Sequence, residues 1–174
     1  MRISPVSKRP PIGATLILAC LVALTLTLGA QQRGSTPSIQ GTWRVVEITT
    51  TGPNGTTNSK PQPGLRLFTG KYYSITLVQG TDVRPNFKDP AKVTPDEALA
   101  VWQPFAANAG TYEIKGNEII YKRIVAKNPA VMRAGNSASD TFRFEGKDTL
   151  WLVEKTNQDG AIQNPSTYKL IRVE

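Results

Sequence analysis

Histidine is absent from this chain of 174 residues, and cysteine occurs once, at Cys20. Without histidine, neither a Ser-His-Asp triad nor a Cys-His pair can be built as it normally is. Zinc and iron sites that depend on histidine are excluded as well, and the usual acid–base group near neutral pH is missing. We therefore predict no metal and no cofactor, and we expect this chain not to be an enzyme.

Carboxylates and tyrosines are the groups that remain for acid–base chemistry. The spacing of the carboxylates in the second half of the chain singles out no catalytic pair. The acidic residues between positions 82 and 97 do not follow a calcium-loop pattern, and glycine-rich phosphate-binding motifs are absent. One enzymatic alternative stays open, in which a carboxylate and a tyrosine isomerise or dehydrate a ligand in a cavity. The carboxylates considered for it are Glu47, Glu113, Asp140, Glu145 and Glu154.

Two arginines, Arg123 and Arg143, interrupt strands that are otherwise patterned as apolar. An arginine that points inward from such a strand can pair with the carboxylate of a fatty-acid-like ligand. The alternative is that each arginine faces solvent or pairs with a nearby carboxylate, Glu113 or Glu145.

Apolar and phenolic side chains on the same strands could form the walls of a binding pocket, which typically combines apolar walls with a few polar groups. The same side chains would also suit a filled core, so a structural or interaction module is a further alternative. Strand alternation defines two faces but does not say which one is interior. The predicted ligand-binding residues are Tyr73, Ile75, Tyr112, Tyr121, Arg123, Phe142 and Arg143.

Short alternating segments separated by turn residues predict an all-β fold, either an antiparallel sandwich or a barrel. About eight strands are expected, and the interior of a barrel with this number of strands just holds one small ligand. Thr94, Pro95 and Glu97 form a helix start with a capping box, and Trp102 and Phe105 continue it at helical spacing, either as a lid or packed on the barrel. The predicted strands cover residues 42–50, 65–68, 72–79, 110–115, 118–125, 141–145, 149–155 and 167–173.

Gly41, Thr42 and Trp43 open the first predicted strand with a large apolar plug, preceded by a glycine that permits close backbone approach. With segments 109–114, 118–121, 141–146 and 150–152 in this order, the chain resembles the bacterial lipocalin-like domain proteins of the lipocalin/calycin group. The resemblance implies an antiparallel up-and-down barrel that binds a small hydrophobic or amphipathic molecule. It also implies that Arg172 packs across Trp43 and, with Gly41, closes one end of the barrel. Family members often carry a histidine after the central hairpin, and this chain departs from them there.

The amino-terminal segment has the three-part layout of a secretory signal. Basic residues precede an apolar run over residues 12–28, and small residues follow at Ala30, where cleavage is expected. We therefore predict a signal peptide over residues 1–30, a linker over residues 31–40 and a barrel domain over residues 41–174, exported to the periplasm or the extracellular space. Membrane attachment would arise only if the signal stayed uncleaved, since the run is long enough to span, or if Cys20, which loosely resembles a lipobox cysteine, carried a lipid.

The net charge of +8 does not indicate nucleic-acid binding. Three basic residues belong to the predicted signal, and the remaining 18 Lys and Arg against 13 Asp and Glu give +5. These charges occur singly along strands and loops, without a basic stripe or interleaved stacking aromatics. The predicted partner is therefore a small molecule and not a nucleic acid.

Overall fold

The computed structural model describes residues 37–174, so the predicted signal peptide and Cys20 lie outside the described residues. Within these residues, eight antiparallel strands close into an up-and-down barrel, with two further two-residue strands and one short α-helix. The predicted fold class is therefore confirmed. The barrel strands are β1 (Gly41–Thr50), β3 (Gly64–Thr69), β4 (Tyr72–Val78), β5 (Phe105–Lys115), β6 (Glu118–Ala126), β7 (Ala138–Glu145), β8 (Thr149–Asn157) and β10 (Ser166–Arg172), and the two-residue strands are β2 (Thr57–Asn58) and β9 (Gly160–Ala161).

The last strand closes the barrel by pairing on both sides. β10 pairs with β8, where Leu170 faces Leu150, and also with β1, where Arg172 faces Trp43. Because neighbouring strands are antiparallel, the start of β1 and the end of β10 lie at one end of the barrel, which we call the closed end. The β3–β4, β5–β6 and β7–β8 hairpins turn at the same end.

A β-bulge in β1 changes which side chains face the interior. The sequence pattern places Glu47 on the same face as Trp43 and Val45, but the register shifts between Val45 and Glu47. After the shift, Ile48 faces Tyr168 and packs against the core. The predicted alternation was therefore wrong beyond Val45, because the bulge inserts one extra residue and reverses the faces.

Two strands begin earlier than predicted. β5 starts at Phe105 and not at residue 110, and β7 starts at Ala138 and not at residue 141. The helix α1 covers Pro95–Trp102 and has the predicted capping box between Thr94 and Glu97. Phe105 was wrongly assigned to this helix: helical structure ends before Pro104, and Phe105 pairs with Val78 in the sheet.

The core fills the closed half of the barrel. Trp43, Phe68, Ile119 and the leucines of β8 and β10 are completely or almost completely buried there. Aromatic rings interlock around them, and Phe68 meets Tyr112 edge-on with ring centroids 5.2 Å apart. Within residues 37–174, no helix is long and apolar enough to cross a membrane.

Candidate ligand-binding site in the barrel

The closed end is sealed by a tryptophan under an arginine. The Arg172 guanidinium carbon lies 4.1 Å from the centroid of the Trp43 ring, and Trp43 is 0% exposed. Arg172 also donates hydrogen bonds to the carbonyl oxygens of Gln40 (2.8 Å) and Ser38 (2.6 Å). A stacked guanidinium on an indole contributes about 0.5–2 kcal/mol, depending on desolvation. This arrangement excludes ligand entry from the closed end.

The segment before β1 belongs to the same seal. The Trp43 indole donates a 2.7 Å hydrogen bond to the carbonyl oxygen of Ile39, and the Ile39 side chain is buried. Residues 38–40, which the sequence assigned to a linker, are therefore packed against the barrel. Gly41 has a φ of +130°, and a Cβ there would come within 2.5 Å of Arg172 Nη1 and of the Glu174 carbonyl oxygen. Only glycine suits this position.

A cavity of about 200 Å³ occupies the opposite half of the barrel interior, which we call the cavity end. Its lining comes from the halves of the strands that lie away from the closed end. The apolar part of the wall consists of Ile75, Leu77, Ala106, Ala138 and Ile162. The polar part consists of Arg66, Gln79, Asn108, Tyr121, Arg123, Asp140, Glu154, Thr156, Asn157 and Tyr168.

A buried ion pair forms the floor of the cavity. Arg66 Nη1 donates a 2.8 Å hydrogen bond to Asp140 Oδ2, and the Arg66 side chain is only 4% exposed. The Tyr121 hydroxyl donates to the same carboxylate oxygen at 3.0 Å. The Arg66 guanidinium carbon lies 4.4 Å from the centroid of the Tyr168 ring. Moving these charges out of water costs free energy. The ion pair, the hydrogen bond from Tyr121 and the stacking on Tyr168 compensate for that cost.

Three further hydrogen bonds orient the polar wall. The Tyr168 hydroxyl donates to Glu154 Oε1 at 3.1 Å, and Glu154 Oε2 accepts from the Ser166 backbone amide at 3.3 Å. The Tyr73 hydroxyl donates to Asn108 Oδ1 at 2.8 Å. These contacts hold the side chains of Tyr73, Asn108, Glu154 and Tyr168 in place.

Burial is the largest single influence on the pKa values of the tyrosines, Asp140 and Arg66 in the cavity. Burial raises the pKa of Tyr73 and of Tyr168 to about 12 each, since an ionised phenolate would be poorly solvated there. Burial also raises the pKa of the Asp140 carboxyl above its usual range, although Arg66 and Tyr121 oppose this. For Arg66, burial lowers the pKa, but the charge of Asp140, its hydrogen bond and the nearby phenols of Tyr121 and Tyr168 together raise it above its ordinary value, so the guanidinium stays protonated.

Arg123 differs from the other charged residues of the cavity because no hydrogen bond engages its side chain within residues 37–174. Neither Arg123 nor Glu154 is in any of the ion pairs of these residues, but Glu154 accepts hydrogen bonds from Tyr168 and Ser166 whereas Arg123 donates none. Its Nη1 atom is buried and has no hydrogen-bond partner among these residues. The same is true of Arg66 Nε, whereas Arg66 Nη1 is engaged by Asp140.

The residues predicted to bind a ligand fall into three groups. Ile75, Tyr121 and Arg123 line the cavity, and Tyr73 contacts the lining through Asn108. Tyr112 and Phe142 pack with the aromatic side chains of the core instead. Arg143 alone forms the third group, because it neither lines the cavity nor packs in the core.

Arg143 lies on the outer surface of the barrel. Its side chain is exposed, and its guanidinium carbon stacks 4.5 Å from the centroid of the Trp151 ring. Lys169 covers the same ring from the other neighbouring strand, with 5.0 Å between Nζ and the centroid. The physical reason is the pleat of β7, in which Phe142 and Phe144 face inward and Arg143 between them faces outward.

Sequence reasoning missed Arg66 and Tyr168 as cavity residues and did not single out Asp140 or Glu154. The signal for Arg66 was its two-residue spacing from Phe68, because buried and exposed residues alternate strictly along β3. The apolar neighbours Leu65 and Leu67 concealed this signal, since they face outward in the structure.

Neither the helix nor an open groove on the outer wall belongs to this site. Trp102 is 53% exposed, with its ring centroid 6.5 Å from that of Phe105, and neither residue lines the cavity. An open groove of about 610 Å³ lies on the outer wall between β1, residues 59–63 and the start of β3. It lacks the convergent buried polar groups of the interior cavity, which is therefore the candidate site.

No family model matches this sequence, and no curated protein sequence matches it either. Among solved structures, the chain is similar to an uncharacterised protein from Bacteroides eggerthii, with a TM-score of 0.42, 11% identity, and coverage of 78% of this chain and 99% of that one. It is also similar to a lipocalin-like protein from Bacteroides uniformis (TM-score 0.40, 11% identity, 77% and 97% coverage). A redesigned β-barrel gives a TM-score of 0.39 at 16% identity, with 78% and 92% coverage. The strand pairing of the chain itself establishes the closed barrel.

Proposed function

We propose that this protein binds a small amphipathic molecule in the cavity end of its barrel. The observation that carries the proposal is the interior cavity of about 200 Å³, which joins an apolar wall to a fixed set of polar side chains. An engineered protein cavity of roughly 150 Å³ holds benzene, so a ligand about the size of one ring suits this volume.

The mechanism is burial of the ligand's apolar surface together with orientation of its polar end. Burial contributes about 25 cal/mol per Å² of apolar surface before the costs of association are subtracted. The hydrogen-bonded tyrosines and Asn108 are already held in place, so little side-chain freedom is lost on binding. This preorganisation favours affinity for a ligand with one apolar and one polar part.

The alternative of a cavity enzyme is less well supported by the same geometry. A general base needs a free carboxylate oxygen within reach of a proton on the ligand. In Asp140, Oδ2 already accepts from both Arg66 and Tyr121, and the ion pair with Arg66 disfavours uptake of a proton by this carboxylate. Both oxygens of Glu154 also accept hydrogen bonds. The other alternative, a barrel filled throughout as a structural module, fits the closed half but not the cavity end.

Export of this binding protein is part of the proposal. It is supported by the sequence of residues 1–30, with its basic start, apolar run and small residues at the expected cleavage point. The ligand would then be a molecule of the periplasm or of the extracellular space.

The test uses benzyl alcohol as a small neutral probe and measures its binding to the purified protein by ligand-detected NMR titration. Ala106 lines the cavity and its neighbour Ala107 faces the outer surface, so Ala106→Phe fills the site and Ala107→Phe is the matched control. We expect binding to the wild-type protein and to the Ala107→Phe variant, and loss of binding in the Ala106→Phe variant. Equal binding by both variants, or no binding by the wild-type protein, would overturn the proposal.

A further inference from the structure

The cavity holds charged groups of both signs, and these groups differ in whether their hydrogen bonds are satisfied within the protein. Two carboxylates and two guanidinium groups line it, from Asp140, Glu154, Arg66 and Arg123. Asp140 is engaged by Arg66 and Tyr121, and Glu154 by Tyr168 and the Ser166 amide. Each carboxylate therefore already accepts hydrogen bonds from within the protein.

Arg123 is the charged group of the cavity whose side chain has no hydrogen-bond partner among the described residues. Its Nη1 atom is buried and lacks an acceptor within residues 37–174. A buried donor without a partner is costly, and native proteins rarely keep one without a reason. A charged donor in a cavity wall obtains a partner at no structural cost when the ligand supplies an acceptor oxygen.

On this basis, and resting on the proposed function, we propose that the ligand is a compact organic anion whose carboxylate accepts a hydrogen bond from Arg123. Arg66, whose buried Nε also lacks a partner within residues 37–174, lines the same cavity and offers a further N–H donor. The apolar part of the ligand lies against Ile75, Leu77 and Ile162. Guanidinium groups suit this role because they offer several N–H donors in a fixed plane and stay charged.

Positions 123 and 143 provide a matched pair of arginines. Both lie in barrel strands and both stand among apolar residues in the sequence, but Arg123 lines the cavity and Arg143 stacks on Trp151 outside it. A general loss of positive charge would affect both variants equally. An anion site in the cavity would respond only to the change at Arg123.

The experiment compares three probes with the same ring: benzoate, benzyl alcohol and benzylamine. Their dissociation constants are measured by ligand-detected NMR on the full-length protein and on the Arg123→Met, Arg123→Lys and Arg143→Met variants. We expect the wild-type protein to bind benzoate at least about tenfold more tightly than either other probe, since a charge-assisted hydrogen bond is worth about that factor. Arg123→Met should bring benzoate to the level of benzyl alcohol, Arg123→Lys should restore part of the difference, and Arg143→Met should leave it unchanged.

Retained binding of benzyl alcohol by the Arg123→Met variant shows that its cavity is intact. Equal affinity of the wild-type protein for benzoate and benzyl alcohol, or a preference for benzylamine, overturns the anion inference and leaves the proposed function standing. Equal loss of benzoate binding in the Arg123→Met and Arg143→Met variants also overturns it. Failure of all three probes to bind the wild-type protein overturns the proposed function itself.

Discussion

Arg66 and Asp140 form an ion pair that is almost completely buried. Their side chains are 4% and 9% exposed, and the 2.8 Å contact between them lies where water is largely excluded. Each charge makes the burial of the other tolerable, so neither can be removed alone without leaving an uncompensated charge in the core. Exposed ion pairs behave differently, because water and salt screen both partners.

Asp140→Ala should therefore destabilise the fold by about 3–5 kcal/mol, because it leaves the Arg66 guanidinium buried without a counter-charge. The double variant Arg66→Met, Asp140→Leu should recover most of this loss, since no buried charge remains. The free energy of unfolding is measured by urea denaturation, followed through tryptophan fluorescence.

Glu113→Ala is the control for that measurement. Glu113 accepts a 2.8 Å hydrogen bond from Lys122 Nζ, and the side chains of Glu113 and Lys122 are 50% and 61% exposed. We expect no clear change in stability from its removal. A loss in the double variant as large as in Asp140→Ala would contradict the account of the buried pair.

Single residues were the hardest features to predict from the sequence. Arg123 was identified correctly as a charged residue within an apolar pattern, and it lines the cavity. Arg143 satisfied the same criterion and lies outside. The pattern alone cannot separate them, because the inward face of a strand depends on its register with both neighbours.

At the scale of elements, the contact between β5 and β6 determines where Arg123 points. The register of this strand pair shifts between Ala109 and Gly110, which marks a bulge. A Cβ at Gly110 would overlap the Lys122 carbonyl oxygen and lie 2.9 Å from the Arg123 Cα. The absence of a side chain at Gly110 thus allows β6 to approach closely at the residue that contributes the unpartnered guanidinium.

Gly110→Ala should destabilise the protein by about 2 kcal/mol or more, because backbone atoms cannot move aside as a flexible side chain would. Gly116→Ala is the comparison: Gly116 has a φ of +62° and open space around it, so only backbone strain of about 1 kcal/mol is expected. Thermal unfolding of both variants checks the order. A smaller loss at Gly110 than at Gly116 would show that β6 can shift without cost.

Elements that are encoded by a few neighbouring residues were predicted well. Strand ends that are set by pairing with another strand were not. The capping residues of α1 and the turns at Gly70, Gly116 and Gly146 are encoded over a few residues, and they appear in the structure. The early starts of β5 and β7 depend on pairing with β4 and β8. No residue pattern within 105–109 or 138–140 marks them as strands, and Asp140 was consequently missed as an inward side chain.

For the whole molecule, the barrel divides into a packed half and a hollow half. Large side chains from all the strands meet around Trp43 at the closed end, whereas tyrosine hydroxyls and charged groups converge at the other end. Repeated alternation and short turns predicted about eight antiparallel strands, and the resemblance to lipocalin-like proteins predicted that these strands close into a barrel. The division into halves was not predictable from the same pattern, because it depends on the depth at which each inward side chain sits.

The hollow half should make the stability of the molecule sensitive to high pH. Burial raises the pKa of Tyr73 and Tyr168 to about 12, and it raises the pKa of Tyr121 as well. An unfolded chain ionises tyrosine near its ordinary pKa of about 10. Because the folded state keeps the proton, the contribution of these groups is fully present below about pH 10 and declines as pH rises towards about 12. Each tyrosine should reduce the free energy of unfolding by about 1.4 kcal/mol per pH unit within that range.

The double variant Tyr73→Phe, Tyr168→Phe should be less stable at neutral pH, since two hydrogen bonds are lost, but its stability should fall less steeply above about pH 10. Urea unfolding at a series of alkaline pH values gives the slope, and the ultraviolet absorbance of tyrosinate reports when the remaining phenols ionise. The slope is the informative quantity, because a lost hydrogen bond lowers stability at every pH whereas a shifted proton affinity changes its dependence on pH. Parallel curves for the wild-type protein and the double variant would mean that these phenols reach water in the folded barrel, and the cavity would then be more open than its lining indicates.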